Sequence, residues 1–175
     1  MWDFFCTFAR FFAQKGKDMI ELLDKYRNKK RIAEIRDFLE HELVISKKAN
    51  GMKEETVETS LVKQLEDKFG KKYVEEQCHV GEHFKMKCDV DMFQGLCGIE
   101  LKLAQSLETH ADEFHRAIGQ VACYAQEEYT DTCVFLLVIG KEAEMSKKIE
   151  ELKTIVEYLP RVEFIYRQSM NRTTK

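Results

Sequence analysis

At 175 residues the chain is sized for one compact domain, or for one domain with an appended arm. Hydrophobic residues at 44% can fill a core and charged residues at 34% can cover a surface, while no run approaches the roughly 18 apolar residues of a membrane span. A net charge of −3 argues against a protein that coats nucleic acid, yet leaves room for local phosphate contacts.

The charge is uneven. Residues 1–50 hold 11 Lys+Arg against 8 Asp+Glu, and the remainder holds 17 against 23. An acidic site in the second part would account for some of that imbalance. The opening Met1–Phe12 lacks the basic start, long apolar run and small-residue cleavage site of a secretory signal, so an intracellular, cytoplasmic location is expected. Six cysteines at irregular spacings, with no CxxC, do not form a disulfide framework. Cys78, His79, His83 and Cys88 are the nearest approach to a zinc cluster, and their spacing matches no zinc pattern.

Residues 1–50 are expected to form a helical arm, divided from residues 51–175 near the Asn50-Gly51 turn signal. Phe4, Phe8, Phe11 and Phe12 share one helical stripe. A second pattern runs through Ile20, Leu23 and Tyr26, and a third through Ile32, Ile35, Leu39 and Leu43. The basic run Arg27-Asn28-Lys29-Lys30-Arg31 lies between them, either as a phosphate-binding element or as a solvated turn between two helices. The Phe stripe could bury against the core, form a homodimer, or lie on a membrane surface.

The second part alternates in type. Val57, Leu61, Leu65 and Phe69 make residues 54–69 an amphipathic helix, with Gly70 at its C-terminal end. Strands are expected over 73–80, 86–93 and 96–104, and a helix over 112–128. The continuous apolar run 132–140 reads as a strand buried on both faces. A charged helix over 141–158 and a strand over 161–167 complete the order α-β-β-β-α-β-α-β.

Chemistry concentrates in residues 87–102, KCDVDMFQGLCGIELK. A two-residue hairpin loop at Gln94-Gly95 pairs Met92 with Cys97, Asp91 with Gly98 and Val90 with Ile99, and then sets Asp89 opposite Glu100. Alternation places Asp89, Asp91, Glu100 and Lys102 on one face, with Val90, Met92, Ile99, Leu101 and Leu103 on the other. Opposed carboxylates repel unless a divalent cation lies between them. Lys102 could orient or deprotonate a water beside that ion and offset charge at phosphorus. Without a cation, the same pattern describes a solvated polar sheet face.

Asp89, followed after ten residues by Glu100-Leu101-Lys102, resembles the D…ExK signature of the PD-(D/E)XK, restriction-endonuclease-like nucleases. Cys88 stands where the family's proline would be. The resemblance covers roughly residues 54–140 and implies an α/β fold with an αβββαβ core, a mixed central sheet and flanking helices. It also implies a Mg²⁺- or Mn²⁺-dependent phosphodiesterase acting on DNA, with metal held by Asp89, Glu100 and the Leu101 carbonyl. Glu58, ahead of Leu61 and Leu65, looks like the glutamate of the family's first core helix, and Gln120 with Tyr124 looks like its QxxxY element. Arg116, one turn before Gln120, and Lys85 and Lys87 beside the hairpin are candidates for phosphate contact, as are Arg27, Lys29, Lys30 and Arg31. Many members of this superfamily are dimers, which suits a homodimer through the N-terminal helices. Exposed histidines such as His79, His83, His110 and His115 carry little weight. Two other functions fit the same residues: a nuclease-like fold that binds nucleic acid or protein without cleaving it, and an interaction protein organised by the helical arm.

Overall fold

In the computed structural model of the protein, the backbone is described for residues 2–46, 53–81, 86–130 and 132–170, and the side chains for the same residues apart from 2–18 and Ile20. The Phe4, Phe8, Phe11 and Phe12 stripe, the Asn50-Gly51 turn, His83 and Lys85 therefore lie outside the described side chains. By internal compactness the chain forms two units, Met1–Arg36 and Asp37–Lys175.

The first unit is helix α1 (Trp2–Asp37), one helix of 36 residues. The sequence suggested separate helical patterns on either side of the basic run, but the structure carries the helix straight through it. Lys and Arg are good helix formers, and no Gly or Pro stands between Lys17 and Asp37 to interrupt them. Arg27 pairs with Asp24 at 3.4 Å and Lys30 with Glu34 at 3.8 Å, each within one helical turn. Met19, Leu22, Leu23 and Tyr26 stand at i, i+3, i+4 and i+7 and are all exposed.

The second unit is built on a five-stranded sheet in the order β1-β2-β3-β4-β5. Its strands are β1 (Val74–Val80), β2 (Met86–Met92), β3 (Cys97–Leu103), β4 (Cys133–Gly140) and β5 (Val162–Gln168). The β1-β2 and β2-β3 pairs are antiparallel, while β3-β4 and β4-β5 are parallel, as the longer helical crossovers require. The architecture is α/β with a mixed open sheet. Every residue of β4 is buried, as its unbroken apolar run demands.

Helix α2 (Glu54–Phe69) has the expected bounds, buries Val57, Leu61, Val62 and Leu65, and packs on β1 and β3. Its end is set by Gly70, whose φ of +98° is open to glycine at little cost. Helix α3 (Ala104–Thr109) was not anticipated; it is a single short turn following directly on β3. Helix α4 (Ala111–Glu127) buries Phe114, Ala117, Val121, Tyr124 and Ala125. Helix α5 (Lys147–Glu157) begins six residues later than the sequence suggested, because Lys141 to Glu144 are exposed and offer no apolar face to pack. These two helices cover one apolar cluster, in which Val121, Tyr124 and Leu152 meet Val134, Leu136 and Val138 of β4.

Before α2, a π-helical turn (Phe38–Glu42) buries Phe38 and Leu39. Gln64 then binds both backbone groups of Val44, at 3.0 and 2.9 Å, in place of a neighbouring strand. Among the described residues no helix is long and apolar enough to cross a membrane.

Candidate active site

All seven residues of β3 are buried, because the strand is covered on both faces and flanked on both edges. An apolar sequence would be expected there, yet positions 100 and 102 are Glu and Lys. Their side chains are only 1% and 2% exposed, which places two ionisable groups inside the protein. Burial of a charge is strongly unfavourable unless it is paired. The pairing exists: Lys102 Nζ donates to Glu100 Oε1 at 2.6 Å and to Glu54 Oε1 at 3.2 Å. A strand that breaks its own apolar rule in this way is where a functional site is to be sought.

The hairpin between β2 and β3 sets the position of Asp89. Its pairs are Met92↔Cys97, Asp91↔Gly98 and Val90↔Ile99, the register the sequence dictates. The turn, however, spans Phe93 to Leu96 and not two residues, with Phe93, Gln94 and Gly95 all at positive φ. Pairing also stops at Val90↔Ile99, so Asp89 and Glu100 do not form the expected ladder pair. Asp89 instead turns its carboxylate onto the third strand's backbone, where Oδ2 accepts a hydrogen bond from the Leu101 N–H at 2.8 Å. Its charge still reaches Glu100 and is one of the causes of that residue's raised pKa.

Electrostatics distinguish the members of the cluster. Burial raises the Glu100 carboxyl, the Lys102 ammonium opposes the rise, and Asp89 adds to it, leaving Glu100 pushed up to about 7. For Lys102, burial acts downward, but the charges of Glu100, Glu54 and Asp89 outweigh it and the net shift is upward. Glu58 is raised by burial; a Gln77 hydrogen bond opposes this, and Asp89, Glu76 and Glu54 add to it. Glu100 Oε2 is buried and, among the described residues, makes no hydrogen bond of normal geometry; the Tyr124 hydroxyl is given to the Lys87 carbonyl and only helps to lower the Glu100 carboxyl from nearby. An orphaned carboxylate oxygen beside a second carboxylate suits a hard divalent cation, so the donor set fits Mg²⁺ or Mn²⁺. Among the described residues, no group of three or more His, Cys, Asp and Glu side chains is arranged to hold a metal.

The remaining candidates divide. Tyr124 is fully buried; its hydroxyl donates to the Lys87 carbonyl at 2.6 Å and accepts from Gln120 Nε2 at 3.2 Å. The Gln120–Tyr124 pair thus ties α4 to β2 one residue from Cys88 and two from Asp89. The Lys87 side chain is exposed. Arg116 is bound to Glu113 at 2.8 Å and lines a surface groove with Gly119, Gln120 and Cys123. Arg27, Lys29 and Lys30 are exposed on α1.

Asp91 does not join the cluster. The sequence set it on the same face as Asp89, but it is 3% exposed and both its oxygens accept from the Gly95 N–H, at 3.1 and 2.9 Å. The Tyr129 hydroxyl donates to it at 2.8 Å. Asp91 therefore closes the hairpin turn, with both oxygens already taken up by Gly95 and Tyr129. Cys88 is likewise withdrawn from any zinc arrangement, since its buried thiol faces the carbonyls of Val90 and Ile99, each at 3.4 Å. Two residues went unnoticed in the sequence. Glu54 precedes Glu58 by one helical turn, a spacing that could have drawn attention to it. Gln77 gave no signal at all. Compared with models of protein families, with curated proteins and with solved structures, the chain matches none.

Proposed function

We propose that the chain is a divalent-metal-dependent nuclease that hydrolyses phosphodiester bonds in DNA, built on a restriction-endonuclease-like core. The observation that carries the reading is Glu100: wholly buried next to Asp89, with one oxygen held by Lys102 and the other making no hydrogen bond of normal geometry among the described residues, the Tyr124 hydroxyl acting on it only from nearby. The order α2-β1-β2-β3-α3-α4-β4 within a mixed sheet, with the short α3 leading into α4, supports the αβββαβ core. Asp89, Glu100 and the Leu101 carbonyl would hold Mg²⁺ or Mn²⁺. When bound, such an ion supplies a Lewis acid for a phosphate oxygen and a water of lowered pKa.

The chain's own groups divide the remaining work. Lys102, with its pKa raised, stays an ammonium through neutral pH. That supports a role in orienting the attacking water and offsetting charge at phosphorus, and disfavours Lys102 as the base. Glu100 must be ionised to take a cation, so activity should rise as pH passes about 7. Glu58, raised and within reach of Asp89's charge, is suited to hold a water at the edge of the centre. Tyr124 and Gln120 brace β2, and Arg116, Lys85 and Lys87 are the proposed phosphate contacts. The exposed Met19, Leu22, Leu23 and Tyr26 support α1 as the surface of a homodimer, and its basic run as a second DNA contact. A cytoplasmic setting belongs to the same proposal.

The test is incubation of the purified chain with plasmid DNA in Mg²⁺, in Mn²⁺ and in EDTA, alongside Glu100→Gln. Cleavage that needs metal and is lost in the variant supports the reading. DNA binding without cleavage under every metal condition would replace it with a non-cleaving binding module.

A further inference from the structure

Gln77 lies in the middle of β1 and has a φ of +52°, in the left-handed region that side chains other than glycine occupy at a cost. The β1-β2 ladder shows the consequence. Glu76 pairs with Val90 and Cys78 with Cys88, but Gln77, which falls opposite Asp89, forms no pair. Packing does not account for the strain, because Gln77 is exposed and contributes nothing to the core. Its side chain does. The amide nitrogen donates to Glu58 Oε1 at 2.6 Å and to Asp89 Oδ1 at 3.3 Å. An amide carries two N–H donors, so both bonds can form together. With Leu101 N–H on the other oxygen, Asp89 is held from both sides.

We infer that Gln77 is a positioning residue of the proposed metal centre: it bridges the carboxylates of Glu58 and Asp89, fixes the orientation of Asp89, and thereby sets the affinity for the divalent ion. The inference rests on the nuclease reading of the site and adds a residue that the D…ExK pattern does not contain. Two carboxylates this close repel each other, and without a donor between them Glu58 would swing away to solvent. The bridge also links α2 to β1 and β2 at the point where β2 stops pairing with β3. A bond to a ligating carboxylate orients it before the ion arrives, and loss of such outer partners typically weakens metal binding by about 10–100-fold.

The experiment uses the full chain and two variants. Gln77→Gly removes the amide and relieves the backbone, whereas Gln77→Met removes the amide and keeps the strain. Binding of Mn²⁺ alone is measured by calorimetry, melting temperature without metal is measured in parallel, and plasmid cleavage follows. Both variants should bind Mn²⁺ about 10–100-fold more weakly, while Gln77→Gly melts at or above the parent temperature. A purely structural role predicts instead that affinity falls only as far as stability does, and that pattern overturns the inference. Parent-like Mn²⁺ affinity in either folded variant also overturns it, leaving the metal centre itself intact. If the parent chain binds no Mn²⁺, the metal centre and the Gln77 role fall together.

Discussion

Replacing Lys102 with Met tests the buried pair directly. Methionine keeps most of the length and apolar volume of the lysine stem and removes its charge. In the parent, burial pushes Glu100 from the ordinary carboxyl value of 4.5 up to about 7. Its folded pKa is raised, so the folded state binds more protons between those values, and stability falls as pH rises through the window. At 1.4 kcal/mol per unit the loss is about 3 kcal/mol and ends near pH 7. Without Lys102 the main influence holding Glu100 down is gone, its pKa climbs further, and the decline continues past pH 7. The difference in unfolding free energy between parent and variant should therefore be modest at pH 6 and wider by about 1 kcal/mol at pH 8. At the alkaline end it approaches the 3–5 kcal/mol or so typical of a broken buried pair. Urea denaturation in EDTA at the two pH values measures it. A difference that stays constant or narrows with rising pH would refute the assignment of Glu100 as a strained, lysine-held carboxylate. In Mg²⁺, the same substitution should lower plasmid cleavage by about 10²–10³-fold if Lys102 offsets charge at phosphorus.

Binding of Mn²⁺ should release a proton below pH 7 and tighten as pH rises from 6 to 8, because Glu100 must ionise; calorimetry in buffers of different ionisation enthalpy reads this, and a pH-independent affinity would exclude Glu100 as a ligand. Asp91→Ala should cost about 1–3 kcal/mol by leaving the Gly95 N–H and the Tyr129 hydroxyl unsatisfied, yet preserve metal-dependent cleavage in the folded fraction. Gly98→Ala should destabilise by about 1–3 kcal/mol, since an added Cβ would stand 2.6 Å from the Tyr129 ring; a neutral result in denaturation would mean that the ring moves freely. Replacing Arg27, Lys29, Lys30 and Arg31 with Ala should reduce the slope of log K against log salt by up to about 3.6 if each meets a phosphate. Because Arg27 and Lys30 already pair with Asp24 and Glu34, a smaller change is expected, and an unchanged slope would show the run to be solvated helix surface.

Periodicity in the sequence determined those elements whose burial follows a regular pattern. The i, i+4 leucines and terminal Gly70 delimit α2, the unbroken apolar run defines β4, and the alternation around Gln94-Gly95 dictates the register of Met92, Asp91 and Val90. The same pattern placed Glu100 and Lys102 together, since residues two apart on a strand share a face. What it could not decide is where a pattern ends or which distant donor intervenes. The β2-β3 ladder stops at Val90↔Ile99, and Asp91, one of the carboxylates assigned by alternation to a single face, is captured by Tyr129 from beyond α4. Glu54 and Gln77 reach the centre from a helix and a strand that precede the hairpin, over sequence separations of 48 and 12 residues. Such contacts leave no periodic trace, because a single hydrogen bond between separate elements constrains two positions and nothing between them. Only the folded arrangement, which brings the N-terminal end of α2 and the strained turn in β1 to the end of the β2-β3 ladder, could place them in the site.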